Sequence, residues 1–84
     1  MKYELSHHTR FEMQRRDVHE TEVVMALRNP GQAVPSRKGR QVFQSKVGAG
    51  GGKLLRVVVK EEAGVYHVVT VYKTSKVAKY WRQP

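Results

Sequence analysis

Apolar positions recur at helical spacing in the first part of the chain and alternate with polar ones from Arg40 onward, so the order reads as helices followed by strands. Lys2 to Leu5 has the character of a short strand. Ser6 is a good N-cap, and His7 to Arg16 contains neither proline nor glycine, which predicts a helix; its only large apolar residues are Phe11 and Met13, so most of its surface is polar. The second helix is better marked. Val18 and Val23 bracket an N-cap at His19 as a hydrophobic staple, and Glu22 is the capping-box acid. Val23, Val24, Ala26 and Leu27 form its buried stripe, and Asn29-Pro30-Gly31 ends it because proline cannot continue the hydrogen-bond ladder.

Alternation predicts strands over Gln41–Val47, Leu54–Lys60 and Val65–Lys73. Gly48-Ala49-Gly50-Gly51-Gly52 is too glycine-rich for a tight hairpin and reads as a mobile loop, whereas Glu61-Glu62-Ala63-Gly64 reads as a compact turn. Strict alternation puts Leu55, Val57, Val59, Val69 and Val71 in the core, with His67 in the same row. Arg56, Val58, Lys60, Tyr66, Val68, Thr70 and Tyr72 fall on the opposite face, a mixture of cations, hydroxyl and rings suited to a ligand. The expected fold is therefore α+β: two N-terminal helices packed on one face of a three- to four-stranded antiparallel sheet, in the order β-α-α-β-β-β, plus a basic C-terminal tail. Trp81 in that tail is expected to reach the core.

Residues 1–84 leave room for a single domain with one core. Formal net charge is +9, with a pI near 10.3, and no acid occurs between Glu22 and Glu61, a stretch containing Arg28, Arg37, Lys38, Arg40, Lys46, Lys53, Arg56 and Lys60. Clustered cations gain affinity for nucleic acid by releasing counterions, and they attract acidic proteins by the same field. The chain has no cysteine, which excludes disulfides, thiolate metal sites and cysteine nucleophiles and fits a reducing cytoplasm. No apolar run suits a membrane span or signal peptide, so a soluble, unprocessed chain is expected.

His8, Glu12 and Arg16 are spaced four apart and share one helical stripe. Imidazole, carboxylate and guanidinium suffice for metal-independent phosphodiester cleavage. A base takes the ribose 2′-hydroxyl proton, a cation stabilises the phosphorane, and an acid protonates the leaving oxygen. The same spacing also builds a solvated ion-pair ladder on a surface helix. His7 and His8 point to different sides of a helix, so the pattern points to no metal site, and the glycine loop lacks the lysine-serine ending of a nucleotide-binding turn.

The segment Leu5–Val18, the Asn29-Pro30 stop, the strand Leu54-Leu55-Arg56-Val57-Val58-Val59 and Val68-Val69-Thr70-Val71-Tyr72-Lys73-Thr74-Ser75-Lys76 resemble the bacterial domain of unknown function 4258. That family is similar to the compact nucleases grouped with barnase, EndoU, colicin nuclease domains and RelE-type toxins. The resemblance implies an RNA-directed fold and places His8, Arg16, Arg56 and Thr70 at the family's helical histidine and arginine, strand arginine and Val-Thr hydroxyl. Glu12 stands where many members carry arginine, and Asp17 where the turn usually has glycine. Tyr80 falls where relatives tend to place an aromatic.

Sequence and resemblance together lead to the expectation of a small RNA-directed protein of toxin type, with a metal-independent endoribonuclease as its catalytic form and no cofactor. His8, Glu12, Arg16, Arg56 and Thr70 are its candidate catalytic residues. Arg37, Lys38, Arg40, Lys76 and Tyr80 are its candidate nucleic-acid contacts, and RNA, with or without the ribosome, and an acidic antitoxin are its candidate partners. A non-catalytic nucleic-acid-binding or regulatory module, and a protein-interaction domain for an acidic partner, are the alternatives.

Overall fold

In the computed structural model, which describes residues 1–83, strand β1 (Lys2–Leu5) leads into helix α1 (His7–Arg15) and helix α2 (Glu20–Arg28). Strands β2 (Gln32–Pro35), β3 (Gln41–Val47), β4 (Lys53–Glu62) and β5 (Val65–Thr74) follow, and helix α3 (Val77–Tyr80) comes last. The sheet has five strands in the order β1-β5-β4-β3-β2, and β1 runs parallel to β5 while every other pair is antiparallel.

The α+β class stands, but the expected three- to four-stranded antiparallel sheet is corrected to a five-stranded mixed one. Two features account for the difference. Gln32–Pro35 pairs with β3 as an edge strand, the position in a sheet where a proline is tolerated because one side needs no donor. The basic tail is not a loose extension: Val77–Tyr80 coils into a short third helix that lies against the sheet face opposite α1 and α2.

Local chemistry explains where the helices begin and end. The Ser6 side chain accepts from the Thr9 N–H at 3.0 Å to start α1. At its end the Val18 N–H donates to the Met13 carbonyl at 2.8 Å and the Asp17 N–H to Gln14 at 3.3 Å, a Schellman closure that needs a left-handed residue at Asp17 (φ 54°). Glycine suits that position better than aspartate. In α2 the Glu22 carboxylate accepts from the His19 N–H at 3.0 Å, and Val18 and Val23 are both buried, as the staple and capping box predict.

Beneath the helices, Met13, Val18, Val23, Ala26 and Leu27 pack on Phe43, Leu55, Val57, Val59, Val68 and Val71. Each of these side chains larger than alanine contributes about 1.5–3 kcal/mol by leaving water. A β-bulge redistributes the residues of β5. Val58 pairs with Thr70 but Val59 pairs with Val68, leaving Val69 without a partner. Val68 and Tyr66 therefore turn toward the core, and His67, paired with Lys60, moves to the outer face; the expected rows for Tyr66, His67, Val68 and Val69 are corrected accordingly.

Helix α1 also closes an exposed strand edge. Beyond Val68, β5 has no strand neighbour on the β1 side, and side chains of α1 meet its carbonyls: Thr9 donates to Val68 at 3.2 Å and Arg16 to Val71 at 2.9 Å. The Gly48–Gly52 segment forms a hydrogen-bonded 3-10 turn between β3 and β4.

Candidate nucleic-acid interface

On the outer face of the sheet, register decides which side chains are neighbours. The cross-strand pairs Arg56–Tyr72, Val58–Thr70 and Lys60–His67 lie in sequence along β4 and β5, and Gln44 is paired with Arg56 from β3. These residues divide the face into two halves.

One half is covered. Gln44 has no exposure, and its amide donates to Gln32 Oε1 at 2.8 Å and to the Tyr80 carbonyl at 3.1 Å. Its own oxygen accepts from Arg56 Nε at 3.0 Å, and Arg56 Nη1 donates to the Tyr72 hydroxyl. The Arg56 guanidinium lies 4.0 Å from the Tyr80 ring centroid, and Lys46 Nζ lies 4.4 Å from that of Trp81. Trp81 reaches this cover rather than the main core, pressing on Gly31 so closely that a Cβ there would sit 2.7 Å from the indole. Gln32 closes the clamp by accepting from the Arg82 N–H at 3.0 Å.

The other half is open. Val58 and Thr70 form the floor of a cleft of about 310 Å³ walled by Ser36, Arg37, Lys38 and Arg40 from the β2–β3 turn. Arg16 enters from the free edge of β5, donating to Thr70 Oγ1 at 3.2 Å. By register, Arg56 and Lys60 flank the floor along β4, one on each side. Arg40 Nε is buried and has no hydrogen-bond partner, which leaves a donor whose desolvation is uncompensated. A cleft of about 430 Å³ on the helix side mixes Arg10 and His19 with Asp17 and Glu20, so its charges offset one another.

Of the residues expected at a catalytic site, Arg16 and Thr70 meet directly, and Arg56 is one cross-strand pair away. Glu12 ion-pairs with Arg15 at 2.9 Å and with Arg16 at 3.3 Å, which gives α1 a true ion-pair ladder beside the basin. His8 is exposed on α1, and no hydrogen bond or ion pair among the described residues ties it to Thr70. Arg37, Lys38 and Arg40 gather in the cleft wall, whereas Lys76 is an exposed N-cap of α3 and Tyr80 is stacked under Arg56. Sequence reasoning left Lys60 in a general ligand-facing row and placed His67 in the row of Val69 and Val71, as a partly buried structural histidine at the sheet rim; the bulge that turns His67 to the other face has no marker in the run Val68-Val69-Thr70.

The groups with shifted ionisation lie on the helix side. Tyr3 donates to Glu20 at 2.6 Å, which raises the phenol and lowers the carboxyl, with Arg10 lowering Glu20 further. Among the described residues no cluster of His, Asp and Glu is arranged to hold a metal ion, and no helix is long and apolar enough to cross a membrane.

Fold and basin together define a small α+β domain with α1 and α2 on one sheet face and, on the other, a cationic cleft beside the short helix α3. The chain belongs to the family described as Domain of unknown function (DUF4258), whose model matches residues 5–73. The match ends before α3, so the cover over the Gln44 half lies beyond the matched residues. No curated protein and no solved structure matches the chain.

Proposed function

We propose that this protein is RNA-directed and seats a backbone phosphate of a single RNA strand in the basin floored by Val58 and Thr70. The observation that carries this reading is the convergence of Arg37, Lys38 and Arg40 in the wall of one cleft. Guanidinium groups there can offer paired N–H donors to phosphate oxygens, and charge-assisted bonds to phosphate are among the stronger ones available. The net charge of +9 adds a long-range field that draws polyanions toward the face.

Fluorescence anisotropy with labelled single-stranded RNA tests the reading. Arg37→Glu combined with Arg40→Glu should weaken binding at least tenfold. A matched reversal on the helix side, Arg10→Glu with Arg28→Glu, should change it less than threefold. Equal losses from the two pairs would mean that only overall charge matters.

A second reading, that the protein is a metal-independent endoribonuclease of toxin type, is favoured by the Arg16–Thr70 contact. It holds a guanidinium at the rim of the phosphate site, where a phosphorane's charge would develop. Kinship with RelE-type toxins and a neutralising acidic antitoxin segment belong to this second reading. Cleavage of total RNA in the presence of a chelator, lost on Arg16→Ala in a folded protein, is its expected signature.

A further inference from the structure

Four histidines are present, and sequence spacing draws attention to His8. The sheet register draws it to His67. Because Val69 is left unpaired at the bulge, His67 faces outward beside Lys60, one cross-strand pair from the Val58–Thr70 floor. Two rises along β4 put His67 roughly 7 Å from Thr70 on the same face. Its Nδ1 lies 3.6 Å from Glu4 Oε2 on β1, where Glu4 is its partner in the parallel ladder. The His67 side chain is half-exposed, and its Nδ1 faces the Glu4 carboxylate. An acid–base histidine commonly has a carboxylate near one ring nitrogen and presents the other to the reacting group, and His67 with Glu4 has the elements of that arrangement. A bulge beside a basic cleft is also the device by which a strand re-aims one side chain.

We propose that His67, oriented by Glu4, is the general base that acts on RNA seated in the basin; this rests on the endoribonuclease reading above. A phosphate over the Val58–Thr70 floor places its adjoining ribose toward the Lys60–His67 pair. Neutral His67 takes the proton of the 2′-hydroxyl at Nε2, and the freed oxygen bonds to phosphorus. The P–O5′ bond breaks, and the departing O5′ takes a proton from water. The hydroxide left behind is neutralised by the His67 imidazolium, so no proton is gained or lost. The products are a 2′,3′-cyclic phosphate and a 5′-hydroxyl end. Arg16 and Arg40 hold the phosphate throughout, and Lys60, whose ammonium ion-pairs with Glu62 at 3.2 Å, is the partner of His67 across the strands.

The test separates binding from turnover. A 2′-O-methyl RNA, which cannot be cleaved by this route, reports affinity; a DNA strand carrying one ribonucleotide reports cleavage at that position. His67→Ala should retain affinity within twofold and lose cleavage by roughly 10²–10⁴-fold, the usual contribution of a positioned acid–base group. Added imidazole should restore part of it, which a structural role would not allow. Glu4→Gln should slow cleavage about tenfold with affinity unchanged, and His8→Ala should leave both within threefold. Unchanged cleavage in a folded His67→Ala protein overturns the proposal. Binding without cleavage by the parent overturns it as well but leaves the RNA-binding reading intact, whereas failure of the parent to bind the 2′-O-methyl strand overturns both.

Discussion

Arg56 and Arg40 border the same sheet face and meet opposite surroundings. Arg56 donates to Gln44 and Tyr72 and stacks on Tyr80, in a half of the face that α3 and Trp81 cover. Arg40 stands in an open cleft with Nε buried and unpaired. A guanidinium whose donors are met by protein groups holds structure together, while one left short of an acceptor is disposed to bind an anion. The two halves therefore differ in what they do with the same side chain: the covered half fastens the C-terminal segment, and the open half is the place for a ligand.

Breaking the covered half should have the largest effect on stability. Gln44→Leu keeps the volume but leaves Arg56 Nε, Gln32 and the Tyr80 carbonyl without their partner, and it should lower unfolding free energy by about 2–3 kcal/mol in urea titrations, with RNA affinity nearly unchanged. In the open half the sign reverses. Arg40→Met retains the stem and removes the orphaned donor, so it should raise stability by about 1 kcal/mol while RNA binding weakens at least tenfold. If Arg40→Met destabilises the protein as Gln44→Leu does, the two halves are alike.

The helix side supplies controls that should alter stability and leave RNA binding alone. Asp17→Gly relieves a left-handed aspartate (φ 54°) and should gain about 0.5–1 kcal/mol, read as a rise in Tm. The smallest effect is one of pH. Burial raises the Glu22 carboxyl, but the His19 N–H and Lys73 outweigh it and hold the group below its ordinary 4.5. Since the folded value is depressed, Glu22 stabilises the fold fully above the unfolded value and loses that contribution as pH falls through the folded one. Stability of Glu22→Gln measured by urea titration should accordingly decline less steeply than the parent's below about pH 5, by under about 1 kcal/mol.

What the sequence disclosed follows from how local each signal is. The capping box at His19 and Glu22, the proline stop and the three long strands are written in adjacent residues, and the structure has them nearly where alternation and capping place them. Gln32–Pro35 was not legible because it carries one buried apolar residue, Val34, and a proline, and becomes a strand only by pairing with β3. Val77–Tyr80 is too short for periodicity to show, and it is fixed by Gln44, a residue distant in sequence. The bulge is the costliest omission: Val68-Val69-Thr70 reads as uninterrupted alternation, so His67 fell on the wrong face. The basin was half visible, since Arg37, Lys38 and Arg40 stand out as a charge run, but their meeting with Thr70 and Arg16 joins three distant segments.

The salt dependence of RNA binding tests the basin most directly. With a 2′-O-methyl single strand, the slope of log affinity against log salt should be shallower by about 0.7 for Arg37→Ala with Arg40→Ala than for the parent, the loss of the one phosphate seated in the basin. Identical slopes for the two proteins would contradict a phosphate held between the β2–β3 turn and Thr70.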